Sequence, residues 1–223
     1  LALADAPPER DAPLVRRLRE AGMVVLGKTN LSEWANIRDL HSTSGWSAHG
    51  GLTRNPYALN RTAWGSSSGS GAAVAARLAA FAVGTETNGS ITAPAAACGL
   101  VGLKPTVGRI PTEGVVPISW SQDSPGPMAL TVADTAALLD VLAGTDTADD
   151  LERGVRGLRV GVPRDLWDHS PAADAASERA LSMLSHAGVH IVDDLTLPSL
   201  KDLDDEIAIT LMLVELKVGL AKY

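Results

Sequence analysis

The residues of this sequence that could do chemistry are serines in two short turns. The first turn reads Gly65-Ser66-Ser67-Ser68-Gly69, and the second, Thr87-Asn88-Gly89-Ser90, places its serine 24 positions after Ser66. A serine hydroxyl attacks a carbonyl carbon only when a neighbouring group accepts its proton, and another serine could relay that proton. The triple serine could instead form a flexible polar turn or an anion cradle, and these alternatives stay open on local grounds.

The second turn has the features of an oxyanion hole. It follows a predicted strand, and successive backbone N–H groups in such a turn, from Thr87, Asn88 and Gly89, can converge on one point. Gly89 has no side chain, so the backbone there can approach a substrate oxygen closely. Ser90 lies on the rim of this hole, and we predict that it is the nucleophile.

Taken alone, the first turn also fits G-x-S-x-G, the nucleophile elbow of α/β-hydrolases. That elbow needs a strand directly before the serine, whereas residues 55–64, NPYALNRTAW, contain a proline and several turn formers. It also needs acid and histidine partners later in the chain, and the later histidines, His169, His186 and His190, fall in or beside ordinary amphipathic elements. The elbow interpretation is therefore disfavoured.

The elements that must position both turns alternate between helix and strand, which predicts an α/β fold. A helix of small residues over 71–80 and a strand over 81–87 lie between the turns, an arrangement that can bring both turns to the same end of a sheet. Apolar runs and amphipathic periodicity predict strands at 23–27, 158–162 and 189–192, and helices at 12–22, 132–143 (with Thr131 and Asp134 as its capping pattern), 171–188 and 203–220. We expect a mixed central sheet covered by helices, in a single domain over residues 1–223.

Composition excludes several classes of function. The chain has 223 residues, 45% of them apolar and 20% charged, as in an ordinary globular domain with a core. Its net charge of −7 argues against nucleic acid as the main partner, which would require a basic face. No apolar stretch approaches the ~20 residues of a membrane helix, and the first residues lack the pattern of a secretory signal. With one cysteine, Cys98, no internal disulfide can form, and we expect a cytoplasmic location.

Together the two turns and their flanks resemble the amidase signature family. The resemblance is carried by GSSSGSGAAVAA at 65–76, by GTETNGSITAPAAACGLVGLKPTVGR at 84–109 and, for the peptide-amidase-like branch, by EGVVPISWSQDSPGPMALTVAD at 113–134. It implies that Ser90 is the nucleophile of an acyl-enzyme and that Ser66, preceded by a cis peptide bond, relays the proton. It also implies an oxyanion hole at positions 87–89, hydrolysis of a small-molecule amide, and neither cofactor nor metal.

One part of the family's machinery has no counterpart in this sequence. In the family a lysine in a segment resembling G-x-P-x-x-x-K-D-N is the final base, upstream of the bridging serine, and no such segment occurs here. Lys28 and Lys104 match other family positions. The resemblance therefore implies an internal piece of a member about twice as long, without a general base that is typically worth ~10²–10⁴ in rate. We expect weak amide hydrolysis, with an esterase or an impaired fragment as alternatives.

Other residues near the motifs have both a chemical and a structural interpretation. Thr92 stands where the glutamine-dependent transamidases of the family have an arginine, which favours a neutral amide or ester over a free carboxylate. Ser67, Gln122 and Asp123 could support the site or line its pocket, although turn or capping roles explain them as well. No His or Cys residues have metal-ligand spacing, so we assign no metal. We expect homo-oligomers that form through the face which the missing segments would cover.

Overall fold

The computed structural model describes residues 8–39, 41–167, 170–193, 195–200 and 205–223, and it has the α/β architecture that the sequence predicts. The described residues form two compact units. The first comprises the described part of Leu1–Ala148 together with Leu211–Tyr223, and the second comprises the described part of Asp149–Thr210. Both serine turns belong to the first unit, so the fold of that unit decides how they meet.

Helices and short strands follow one another along the described residues. The helices are α1 Pro13–Glu20, α2 Ser68–Ala75, α3 Thr92–Ala97, α4 Val132–Ala143, α5 Pro171–His186 and α6 Asp205–Leu220. The strands are β1 Trp46–Ser47, β2 Gly51–Leu52, β3 Arg54–Asn55, β4 Ala58–Thr62, β5 Phe81–Glu86, β6 Val101–Gly102, β7 Ser124–Ala129, β8 Arg159–Gly161 and β9 His190–Val192. Single 3-10 turns occupy Glu33–Asn36, Ala148–Arg153, Arg164–Leu166 and Pro198–Leu200.

β7 is the central strand of the sheet that carries the second serine turn, although it contains two prolines. It pairs antiparallel with β5 on one side and with β6 on the other. The Pro127 carbonyl accepts a hydrogen bond from Leu103 N–H, on the β6 side, at 3.1 Å. In an antiparallel ladder, the nitrogen and the carbonyl of one residue face the same neighbouring strand. Pro127 therefore faces the β6 side, and so does Pro125, two positions earlier. The N–H groups that these prolines lack would not have bonded to β5, so no hydrogen bond to β5 is lost. Prolines argue against a central strand, which is why the sequence pattern did not predict this one.

Small residues let α2 and the sheet approach each other closely. The helix begins and ends earlier than the predicted 71–80, and six of its eight residues are buried. A Cβ atom added to Gly84 of β5 would lie 2.7 Å from Ser67 Oγ, and one added to Gly69 would lie 2.5 Å from Asn30 N. A larger side chain at either glycine would therefore push the first serine turn away from its neighbours.

α4 packs against α1 and the sheet and supplies three of the five buried residues of an apolar cluster. The five are Leu14, Ile110, Leu138, Leu139 and Leu142. Thr131 Oγ1 accepts a hydrogen bond from Asp134 N–H at 3.1 Å, which confirms the predicted N-cap. Gly144 ends the helix with a φ of 69°, a backbone conformation that glycine adopts without strain. The predicted bounds of this helix, 132–143, are confirmed.

The segment Met23–Gly27 differs from the buried strand that its apolar run predicts. Within the described residues it pairs with no strand, and Val24 is 82% and Leu26 75% exposed. A strand is stabilised by the ladder hydrogen bonds of a neighbour, and the described part of the chain places none beside this segment. The prediction is therefore wrong here, and an apolar edge is left open.

Residues 203–204 of the predicted last helix, and His169, lie outside the described residues.

The second unit contains a parallel pair of strands joined through a helix. β8 pairs with β9, with Val160 opposite Ile191, and α5 lies between them in the chain. Arg164 donates to Asp193 Oδ1 at 2.8 Å and also bonds to the carboxylate of Glu178, so one guanidinium links α5 to the end of β9. The strand–helix–strand order that the sequence predicts in this region is confirmed.

Candidate active site

The turn before α2 holds Ser66 in a buried position. Ser66 is 2% exposed and follows a cis peptide bond from Gly65, the feature that the family resemblance implies for this serine. Its carbonyl accepts a hydrogen bond from Ser32 N–H at 2.9 Å, and Ser32 Oγ accepts one from Gly45 N–H at 2.7 Å. Segments that are distant in sequence thus converge on Ser66 and fix its backbone.

The two serine turns meet through Ser67. Its N–H donates to the Ser90 carbonyl at 3.0 Å. Its hydroxyl donates to the Thr85 carbonyl and accepts from Thr85 N–H, each at 3.1 Å. Ser67 therefore docks the first turn onto the end of β5 and onto the second turn, which brings the backbone around Ser66 next to that of Ser90. These contacts give Ser67 a supporting role at this junction.

The turn Thr87–Ser90 is closed by a carboxylate that sequence reasoning missed. Glu86, at the end of β5, is 6% exposed, and its Oε2 accepts hydrogen bonds from Ile91 N–H at 2.8 Å and Thr92 N–H at 2.9 Å. Gly89 has a φ of +76°, a conformation that side chains disfavour. The available signal was an acidic residue directly before a turn that opens a helix, where a carboxylate satisfies free N–H groups.

Asp123 holds the second turn from a different segment. Its Oδ1 accepts a hydrogen bond from Thr87 Oγ1 at 2.6 Å. Its Oδ2 accepts from the N–H groups of Ile118 and Ser119, at 2.8 and 2.9 Å. Gln122 Nε2 donates to Ser119 Oγ at 3.0 Å. Both candidates thus order the loop 118–123, and Asp123 in addition bonds directly to a predicted oxyanion-hole residue.

A small cavity of about 20 Å³ lies beside this junction. Its walls are formed by Thr85, Glu86, Thr87, Val115, Val116, Ile118, Asp123, Ser124 and Pro125. Such a volume holds about one water molecule. Ser90 and Gly89 are half-buried and Asn88 is exposed, so the turn presents one side to solvent. A molecule approaching from solvent meets the turn without first displacing a packed core.

A second buried carboxylate, Glu215 of α6, anchors the same loop. Glu215 is 4% exposed, and its Oε2 accepts hydrogen bonds from Ser119 Oγ, from Ser121 N–H at 3.2 Å and from Ser121 Oγ at 3.0 Å. Burial alone would raise the pKa of Glu215, but these hydrogen bonds outweigh it, and the pKa lies below its ordinary value. No local pattern marks this contact, because its partners are 94 and 96 positions away.

Other reactive residues lie elsewhere. Lys28 is exposed and Lys104 is half-buried. Burial raises the pKa of the Cys98 thiol, as expected for an unreactive core cysteine. Within the described ranges, no group of three or more His, Cys, Asp and Glu side chains could hold a metal ion. None of the helices in the described part of the chain combines the length and apolarity that a membrane crossing requires.

Known proteins are similar to this chain over most or all of its length. A family model described as Amidase covers residues 1–223. A probable amidase of Arabidopsis thaliana is 39% identical over 100% of this chain and 46% of its own length, and a putative amidase of Arthroderma benhamiae is 41% identical over 86% and 36%. The X-ray structure of the native peptide amidase from Stenotrophomonas maltophilia is 48% identical, with a TM-score of 0.84 over 96% of this chain and 47% of that one. The chain thus spans about half the length, or less, of these relatives.

Proposed function

This chain belongs to the amidase family, and from that premise we propose that it hydrolyses a carboxylic amide through an acyl-enzyme on Ser90. The observation that carries the proposal is the hydrogen bond from Ser67 N–H to the Ser90 carbonyl, which joins the two serine turns. Ser66 is the proposed proton relay, and its buried position keeps it away from competing water. The proposal thus rests on one junction between two turns that are distant in sequence.

In the proposed reaction, Ser90 Oγ attacks the amide carbonyl carbon while its proton passes to Ser66 Oγ, and Ser66 gives its own hydroxyl proton to the amide nitrogen. The new C–O bond pushes the carbonyl electrons onto oxygen, and the N–H groups of Thr87, Asn88, Gly89 and Ser90 stabilise that oxyanion. Collapse of the intermediate breaks the C–N bond, and the amine leaves with the proton that its nitrogen received from Ser66, whose hydroxyl now carries the former proton of Ser90. Water then hydrolyses the acyl-serine ester along the same route and restores the hydroxyl of Ser90.

The proposed relay has no assigned base beyond Ser66. The 223 residues contain no G-x-P-x-x-x-K-D-N segment, which in the family carries the lysine base. Since general-base assistance is typically worth ~10²–10⁴ in rate, we expect this chain to hydrolyse amides weakly. Activated esters have better leaving groups and need less assistance, so an esterase of the same family is the second candidate. A catalytically impaired fragment is the third.

The proposed substrate is electrically neutral. Thr92 stands at the position where an arginine would grip a carboxylate, and it donates to Glu86 through its N–H and, at 3.2 Å, its hydroxyl. The buried carboxylate of Glu86 adds negative charge beside the turn, which disfavours an anionic substrate. The similarity to a solved peptide amidase supports a peptide-like amide as the substrate.

A fluorophosphonate probe tests the proposal, because it labels a serine whose hydroxyl is activated beside an oxyanion hole. We expect labelling of the wild-type chain at Ser90, located by peptide mass spectrometry, and no labelling of Ser90→Ala. Ser177→Ala removes an exposed serine of α5 and should label as the wild type does. An unlabelled wild-type chain would support the impaired fragment. Labelling that persists in Ser90→Ala would refute Ser90 as the nucleophile.

We also propose that the chain self-associates through the open apolar edge at Met23–Gly27, where Val24 and Leu26 are largely exposed. Light scattering should show a mass that rises with protein concentration, and Val24→Lys should lower it. A wild-type monomer at high concentration would contradict this.

The single domain over residues 1–223, the cytoplasmic location and the lack of nucleic-acid and membrane partners stay predictions.

A further inference from the structure

Glu215 is a charged residue in a buried position of the fold. It lies on α6, is nearly inaccessible to solvent, and directs one carboxylate oxygen at the hydroxyls of Ser119 and Ser121 and at Ser121 N–H. Burying a carboxylate is costly unless hydrogen bonds replace the lost water, and here three donors do so. Ser119 is itself fully buried, so the contact holds the loop 118–123 at a defined distance from α6.

The same loop reaches the turn Thr87–Ser90 through Asp123. Ser119 N–H donates to one oxygen of Asp123, and Thr87 Oγ1 donates to the other. Asp123 therefore joins the loop and the turn with a single planar group, whose orientation both partners fix. A chain of hydrogen bonds runs from Glu215 through Ser119 and Asp123 to Thr87.

We propose that Glu215 is a positioning residue that holds Thr87, and through it the proposed oxyanion hole, in the reactive geometry. This inference rests on the proposed function of the turn Thr87–Ser90. Oxyanion-hole donors act at 2.7–3.1 Å from the developing charge, so a small displacement of the turn weakens them strongly. When Glu215 loses its charge, the loop 118–123 loosens, Asp123 is free to turn, and Thr87 loses its anchor.

Asp140 provides a matched comparison within the same unit. It is also a carboxylate that orders a loop, and the hydrogen bonds that it accepts come from Thr145, Thr147 and Ala148. Asp140 lies on α4, and these contacts go only to the residues that directly follow that helix. Asp140→Asn therefore perturbs stability in a similar way without acting on the turn, whereas Glu215→Gln keeps the side-chain shape and one acceptor oxygen but removes the charge.

The first test observes the environment of Thr87 in the turn directly and does not depend on catalytic activity. In the full chain with methyl-labelled threonine, Glu215→Gln should shift or broaden the Thr87 methyl resonance, which Thr87→Ser identifies by its loss. Asp140→Asn should leave that resonance in place. If Glu215→Gln leaves it unmoved as well, the inference is overturned, whatever the chain's reactivity.

The second test measures fluorophosphonate labelling at Ser90, well below the unfolding temperature of every variant. We expect Glu215→Gln to lower the maximal labelling rate roughly 10- to 100-fold, the size that small misplacements produce, with unchanged half-saturation. Asp140→Asn should label as the wild type does. Ser119→Ala should act like Glu215→Gln, and the double variant should be no slower than the worse single variant. A Glu215→Gln rate equal to that of Asp140→Asn would overturn the inference.

The two tests separate the inference from the function on which it rests. If the wild-type chain is not labelled at Ser90 but the Thr87 resonance responds to Glu215→Gln, the proposed function fails and the positioning of Thr87 by Glu215 stands. If the wild type is labelled and Glu215→Gln changes neither readout, the proposed function stands and the positioning role fails.

Discussion

The removal of the Glu86 carboxylate should destabilise the first unit by about 1.3–4 kcal/mol. Its Oε2 accepts hydrogen bonds from Ile91 N–H, Thr92 N–H and Thr92 Oγ1. Ile91 is fully buried, so in Glu86→Ala its N–H loses a partner that water cannot replace, at a cost of about 1–3 kcal/mol. Thr92 is exposed and reaches water, so there the loss is mainly the favourable charge at the start of α3, about 0.3–1 kcal/mol.

Urea unfolding followed by tryptophan fluorescence measures this difference. Four of the five tryptophans lie in the first unit: Trp34, Trp46, Trp64 and Trp120. Glu86→Gln keeps an acceptor and loses only the charge, so it should cost about 1 kcal/mol. The control is Glu20→Ala, since this exposed glutamate of α1 lies 4.0 Å from Arg16 and should contribute less than about 0.5 kcal/mol. If Glu86→Ala costs no more than Glu20→Ala, the carboxylate does not hold the turn and the reasoning fails.

Two further predictions concern pH and packing. Burial raises the pKa of Asp140, but hydrogen bonds, first among them that of Thr147, outweigh it and lower the pKa to about 2. A lowered carboxyl pKa stabilises the fold above the unfolded value near 4, and this contribution is lost as the pH falls through 2. In thermal unfolding the wild type should therefore lose its advantage over Asp140→Asn between about pH 4 and pH 2, and parallel curves would contradict this. Gly84→Ala places a Cβ 2.7 Å from Ser67 Oγ, so it should cost about 1–3 kcal/mol in urea unfolding and slow the labelling of Ser90. Gly27→Ala, whose Cβ meets nothing within 4 Å, is the control, and an equal effect of both substitutions would refute the packing argument.

Periodicity predicted the elements whose stability is local. The helix α4 has the predicted bounds, because Thr131 and Gly144 supply a cap at each end within a few residues. The strand–helix–strand order of the second unit follows equally from apolar runs and turns. β7 was not predicted, because its prolines are tolerated only where their nitrogens face away from β5, and a sequence pattern does not say which neighbour a residue faces.

The strand predicted at Met23–Gly27 is absent for a related reason. Its apolar run meets the compositional requirement for a buried strand, but burial and pairing depend on a neighbouring strand. The described residues provide none, so Val24 and Leu26 are exposed. Glu86 was missed for a different reason. Its contacts are local, but an acidic residue before a turn is common, and only its burial shows that it closes the turn.

The sequence by itself determined the two serine motifs, their spacing, the backbone freedom at Gly89 and the family resemblance, all of which depend on residue types at short separations. The tertiary structure decided that Ser67 joins the two turns, that Asp123 holds Thr87 and that Glu215 anchors the loop 118–123. These hydrogen bonds link positions that are tens of residues apart. They form because packing brings the segments together and excludes water, so that each buried polar group must find its partner in the protein.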